Sequence, residues 1–280
     1  MSPAAMNTTI QTPDTAPFTT IAPGLGFGRP LPAGWRPLAE TELLVLVGVT
    51  GAGKSTALAA LDQRRVAYNL LPDRRVVTDR VIIPLYDGGA VLDRVRRFEI
   101  TQRFTRDCPG GMAAVLAGMA ADAHRRSLPL VFDGLRGEVE VTHAAASLPN
   151  ARFLVLTAPD AVRLNRLLRR GDAFDRATAS GAPSTGDLDL PGAEDILSAD
   201  DIAQLRADVA AGILTADDVR GKFAIIAAER RNYDPDRTVA ALLAHAPERT
   251  AVVDTTVCGP AEVGAALAGL LAGDRTEAAA

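Results

Sequence analysis

The sequence predicts a three-layer α/β/α sandwich built on a five-stranded parallel sheet. Two observations lead there. Five short apolar runs of strand length alternate with segments of helical period. The first run meets its helix through Gly48-Val49-Thr50-Gly51-Ala52-Gly53-Lys54-Ser55-Thr56, which has the spacing G-x-x-x-x-G-K-[ST].

The runs are Leu43–Val47, 66–70, 128–132, 152–156 and 250–253. The first is apolar throughout, as a central strand buried on both faces requires. Gly48, Asp73, Asp133, Thr157 and Asp254 fall at or just beyond the ends of the runs, on the sheet edge that carries ligands in open α/β folds. Residues 41–275 read as one domain, with helical insertions at 72–127 and 171–245. Within the first insertion, 91–107 and 112–126 are expected helices, separated by Cys108-Pro109-Gly110-Gly111. A helix over 159–170 carries Arg163, Arg166, Arg169 and Arg170 and closes at Gly171. Ser198-x-x-Asp201 and Thr215-x-x-Asp218 each open a capped helix, and Pro260 stands in the first turn of the last one. Residues 1–40, rich in Thr, Pro, Ala and Gly, are expected to be a largely disordered tail.

Composition narrows the function. A hydrophobic fraction of 48% supplies an ample core, and only 4% of residues are aromatic, so Ala, Leu and Val must build it. The net charge of −4 argues against bulk nucleic-acid or anionic-membrane binding. Cys108 and Cys258 are too few for a disulfide framework or a zinc cluster. No apolar stretch approaches the roughly 20 residues of a membrane span. A cytoplasmic protein is expected, with room left for a homodimer.

The nonapeptide is a phosphate cradle. Its glycines let the backbone curl so that N–H groups of Gly48, Thr50, Gly51, Ala52, Gly53, Lys54, Ser55 and Thr56 face a bound anion at a helix N-terminus. Lys54 reaches the β- and γ-phosphates of ATP, and the Ser55 hydroxyl is placed to ligate Mg²⁺. Lysine is otherwise found only at 222; the remaining 28 of the 30 basic residues are arginine. An ammonium and a guanidinium are not interchangeable in a tight nest, which singles out Lys54. Asp133, after an apolar run, is the second Mg²⁺ ligand or the proton acceptor, with Asp73 as the alternative base. Gly134 follows where a hydrolase would keep a glutamate, which favours transfer over hydrolysis, although Glu138 or Glu140 could reach in.

Four pieces together resemble the P-loop small-molecule kinases of the nucleoside-monophosphate kinase and dephospho-CoA kinase type. They are the nonapeptide, Phe132-Asp133-Gly134-Leu135-Arg136, the run 154–159 with its arginine helix, and Val253-Asp254-Thr255-Thr256. The resemblance implies a P-loop NTPase fold in which the first insertion binds the acceptor and the second forms a lid. It implies lid roles for Arg166 and Arg170 in phosphoryl transfer and for Arg169 on the nucleotide. The family's arginine after the lid glycine is missing, since Asp172 follows Gly171. Lys222, Arg230 and Arg231 are either its substitutes or surface charge paired with Asp217, Asp218 or Glu229. Arginine is dense in the acceptor segment, which suits a small anionic substrate, a nucleotide or phosphorylated metabolite; Arg74, Arg97, Arg103 and Arg136 are the candidate contacts. The rival readings are a regulatory NTPase that switches a protein partner and a kinase of nucleic-acid 5′ ends.

Overall fold

The computed structural model describes residues 16–87, 94–126, 129–169 and 188–272. Five parallel strands form the predicted sheet: β4 (Leu43–Val47), β5 (Asn69–Leu70), β7 (Leu130–Leu135), β8 (Ala151–Thr157) and β9 (Thr250–Asp254). Their order across the sheet is β5-β7-β4-β8-β9, so β4 is central. All five residues of β4 are buried, because β7 and β8 flank it and helices cover both faces. The second strand is shorter than predicted, and Leu128 lies outside the described residues.

On one face, α1 (Lys54–Gln63) and α11 (Pro260–Ala272) pack over Leu44, Leu46, Leu154 and Leu156. On the other, α5 (Gly111–Gly118), α6 (Gly137–Ser147) and α10 (Pro235–His245) cover Leu43, Val45, Phe132 and Phe153. The alternation of inward side chains along the central strands divides these two cores. The insertion before β9 has a third core of its own. Leu164 and Leu167 of α7 (Asp160–Arg169) meet Leu188, Leu190 and Leu197, then Leu205 of α8 (Ala199–Ala210) and Val219, Phe223 and Ile226 of α9 (Ala216–Asn232). The predicted caps form: Ser198 and Asp201 make a reciprocal capping box, and the Thr215 hydroxyl accepts from the Asp218 N–H at 3.2 Å.

Two expectations about the segments around this sheet are corrected. Residues 16–40 are not a tail. They supply β1 (Thr19–Ala22), β2 (Leu25–Phe27) and β3 (Trp35–Pro37), with Trp35 packed edge-on against Phe18 at 5.0 Å. The helix expected over 112–126 ends at Gly118, and Met119–Asp122 becomes strand β6. These residues favour helix, but β6 slots between β2 and β3 in an antiparallel sheet of order β1-β2-β6-β3, and that pairing overrides local propensity. The helix expected over 91–107 forms as α4 (Arg94–Asp107), and its first three positions lie outside the described residues. Finally, α2 (Arg74–Val77) runs through a π turn at Thr78–Ile82 into α3 (Ile83–Tyr86), where Pro84 cannot donate to the regular ladder. No helix among the described residues is long and apolar enough to cross a membrane.

Candidate phosphate-binding site

The nonapeptide lies where its spacing demanded, between the C-terminal end of β4 and the first turn of α1. Gly51 and Gly53 take φ of 81° and 107°, left-handed values that favour glycine. A Cβ on Gly53 would also sit 2.9 Å from Thr255 Cγ2. The Lys54 and Ser55 N–H groups open α1, where helix geometry gives them no intrahelical acceptor. Ser55 is exposed on that first turn.

Lys54 folds back over the loop and donates to the carbonyls of Gly48 at 3.0 Å and Val49 at 3.2 Å. Its ammonium is 3.7 Å from Asp133 Oδ1. Burial holds the Lys54 pKa below the ordinary lysine value, against the opposing pull of Asp133. Burial likewise pushes the Asp133 carboxyl up, against the opposing pull of Lys54. Asp133 sits within β7 rather than beyond it, at an irregularity where Leu46 pairs with Asp133 but Val47 pairs with Leu135. Such a slip re-aims a side chain at a strand end. Its Oδ1 is buried and accepts no hydrogen bond. A buried acceptor with an ammonium at 3.7 Å but no hydrogen bond fits a cation site beside the loop better than it fits a structural cap. Among the described residues no cluster of three or more His, Cys, Asp or Glu could hold a metal by itself, so any cation here would share its ligands with phosphate.

Two acid–arginine centres flank the loop. In the first, Glu140 of α6 accepts both ends of the Arg74 guanidinium at 2.6 Å, the Met112 N–H at 3.2 Å and the Arg136 N–H at 3.0 Å. Arg74 also donates to the Gly134 carbonyl at 2.9 Å. This corrects two expectations: Arg74 is a fork already filled rather than an open substrate contact, and Glu140 has no capacity left to polarise water. Asp73 is exposed at the start of α2, where its Oδ1 caps the helix by accepting the Val76 N–H at 2.8 Å.

The second centre went unseen in the sequence. Glu229 of α9 accepts the Thr50 N–H at 3.2 and 3.1 Å, the Thr50 hydroxyl at 2.6 Å and Arg136 Nη1 at 2.8 Å, and it pairs with Arg163 Nη2. Arg163 is only 2% exposed; it donates further to the Thr50 carbonyl at 2.8 Å and to Asp160 at 2.5 Å. The only sequence cue was the arginine row at 163, 166 and 169. The sequence offered Glu229 only as a surface partner for the charges of its own helix, whereas its partners lie 66 to 179 positions away.

The other candidates divide clearly. Arg166 braces the loop, donating to the Gly51 carbonyl at 3.0 Å and to Thr255 Oγ1 and O at 2.8 and 2.7 Å. Arg169 is exposed at the end of α7, and Arg170 lies outside the described residues. Arg97 pairs with Asp79 at 2.5 Å; Arg103 pairs with Asp107 at 3.4 Å and lies over the Tyr86 ring. Both belong to the helical insertion's own ion pairs. Of the four arginines expected on the acceptor, only Arg136 reaches the loop; its Nε is buried without a hydrogen-bond partner. Lys222 is buried rather than a surface charge, 3.9 Å from Asp218, and Arg230 pairs with Asp160 at 2.7 Å. A small cavity opens beside the loop between Gly48, Val49, Arg136, Thr157, Tyr233 and Thr238.

No protein-family model and no curated protein sequence matches the chain. Solved structures with similar chain paths include an unliganded sugar kinase from Janibacter sp. HTCC2649, at 14% identity over 84% of this chain and 97% of that one, with a TM-score of 0.38. A gluconokinase from Sinorhizobium meliloti 1021 gives 15% identity, 84% and 94% coverage and a TM-score of 0.38. The protein TT1252 from Thermus thermophilus gives 17% identity, 83% and 97% coverage and a TM-score of 0.43. At these TM-scores they are resemblances only, and the chemistry rests on this chain's own residues.

Proposed function

We propose that this chain is an ATP-dependent phosphotransferase that moves the γ-phosphoryl group to a small acceptor. The observation that carries the reading is the pairing of Lys54 with Asp133 Oδ1 across the loop at 3.7 Å, that buried oxygen accepting no hydrogen bond. In this reading the loop backbone and Lys54 hold the β- and γ-phosphates. Ser55 and Asp133 would hold Mg²⁺, which neutralises phosphoryl charge when bound. Placing the Lys54 ammonium among phosphates offsets the burial that now lowers its pKa. Arg166 keeps the loop rigid through the Gly51 carbonyl, which is preorganisation and needs no contact with substrate.

Transfer is favoured over hydrolysis by what surrounds Asp133. The residue after it is Gly134, and Glu140 is spent on Arg74, Met112 and Arg136. An anionic acceptor, a nucleotide or phosphorylated metabolite, now rests on Arg136 rather than on a field of arginines. The test is incubation with γ-labelled ATP and Mg²⁺, with and without pooled nucleotides, phosphorylated metabolites, sugars and short oligonucleotides. Label appearing on an acceptor supports the kinase; phosphate release indifferent to every acceptor supports the NTPase. Lys54→Ala should lower transfer by about a hundredfold or more. Undiminished transfer in that variant would remove Lys54 from the site.

A further inference from the structure

The Glu229 carboxylate is bound by a backbone N–H and a hydroxyl of the phosphate loop and by two guanidinium groups. A loop N–H together with convergent arginines is also the donor set that suits a terminal phosphoryl group. Glu229 is 6% exposed and belongs to α9, whose apolar face packs on α7 in a core separate from the two that cover the sheet, before the chain continues into α10 against α6. A γ-phosphate bound at the loop would compete with the carboxylate for one set of donors, and the carboxylate is carried by α9, which packs on α7. We infer that Glu229 is an internal stand-in for the terminal phosphate, latching α9 to the loop until a nucleoside triphosphate displaces it and inherits Arg136 and Arg163.

This rests on the nucleotide reading above and adds a discrimination to it. A nucleoside diphosphate has no terminal group at that station and leaves the latch closed. A triphosphate must open it, so its observed affinity is reduced by the fraction of time the latch is shut. A latch open about a tenth of the time weakens apparent binding about tenfold. Arg163 keeps its second partner, Asp160, in both states, so opening does not strand a buried guanidinium.

The test is calorimetric titration of wild type and Glu229→Gln with ADP and with a non-hydrolysable ATP analogue, each with Mg²⁺. Glutamine keeps the shape and an acceptor oxygen but removes the charge. The variant should bind the ATP analogue about tenfold tighter, with ADP affinity unchanged. Equal shifts for both nucleotides, or weaker binding of the ATP analogue, overturn the inference while leaving the nucleotide site standing. If neither protein binds either nucleotide, the nucleotide reading itself fails and takes the latch with it. Amide hydrogen exchange on wild-type protein needs no variant. Amides of α9 should exchange faster with the ATP analogue and stay unchanged with ADP; added protection with the ATP analogue overturns the latch.

Discussion

Glu140 and Glu229 are both buried carboxylates that accept backbone N–H groups and arginine, yet they hold together different things. Glu140 joins α2, α5 and the start of α6, all of them fixed to the main sheet. Glu229 joins an insertion helix to the loop itself. Arg136 contributes to both, its backbone N–H to one and its side chain to the other. The lesson is that burial and charge pairing do not distinguish a rivet from a latch. What distinguishes them is whether the donors have another use. The donors around Glu140 have none, while those around Glu229 face the place where phosphate is expected.

Substituting the two acids in parallel is the sharpest way to break this comparison. Glu140→Gln should cost about 3 kcal/mol of stability, since it leaves the Arg74 guanidinium without its charge partner inside the framework. Glu229→Gln should cost less, about 1 kcal/mol, because Arg163 retains Asp160 and the Thr50 carbonyl. Urea unfolding midpoints measure both. Equal losses would make Glu229 a second rivet.

A smaller effect separates Asp133 from both acids. Its folded-state pKa is raised by burial, so the folded chain holds this proton at pH values where the unfolded chain has lost it. The associated stability is present below the ordinary aspartate value and fades as pH rises through the raised one. The stability of wild type relative to Asp133→Asn should therefore decline as pH rises out of the ordinary carboxylate range. A relative stability that stays flat or climbs over that rise would show the carboxyl to be held down by Lys54 instead.

The loop was legible because its determinants are contiguous: an apolar strand, a nine-residue turn and a helix, each imposing its own pattern. The five parallel strands were legible for the same reason. Arg74 was misjudged because a bare arginine past a strand looks available until Glu140, 66 positions later, is seen to claim it. Glu229 was missed because helix α9 shows surface-like charge along its sequence, and only the tertiary fold turns that residue toward Thr50. Residues 119–122 were misread because alanine and methionine favour helix, and no local signal announces neighbours contributed from positions 25–37.

Those neighbours close both edges of the strand they flank. Strand β6 has both of its hydrogen-bonding edges occupied by chain from before residue 40, and Met119, Ala120 and Ala121 are buried beneath that cover. Cutting the chain at the domain start suggested by the sequence, residue 41, would strip both edges at once. A short apolar strand with two open edges is a template for other chains. The segment that composition marked as a tail is what covers both edges of β6.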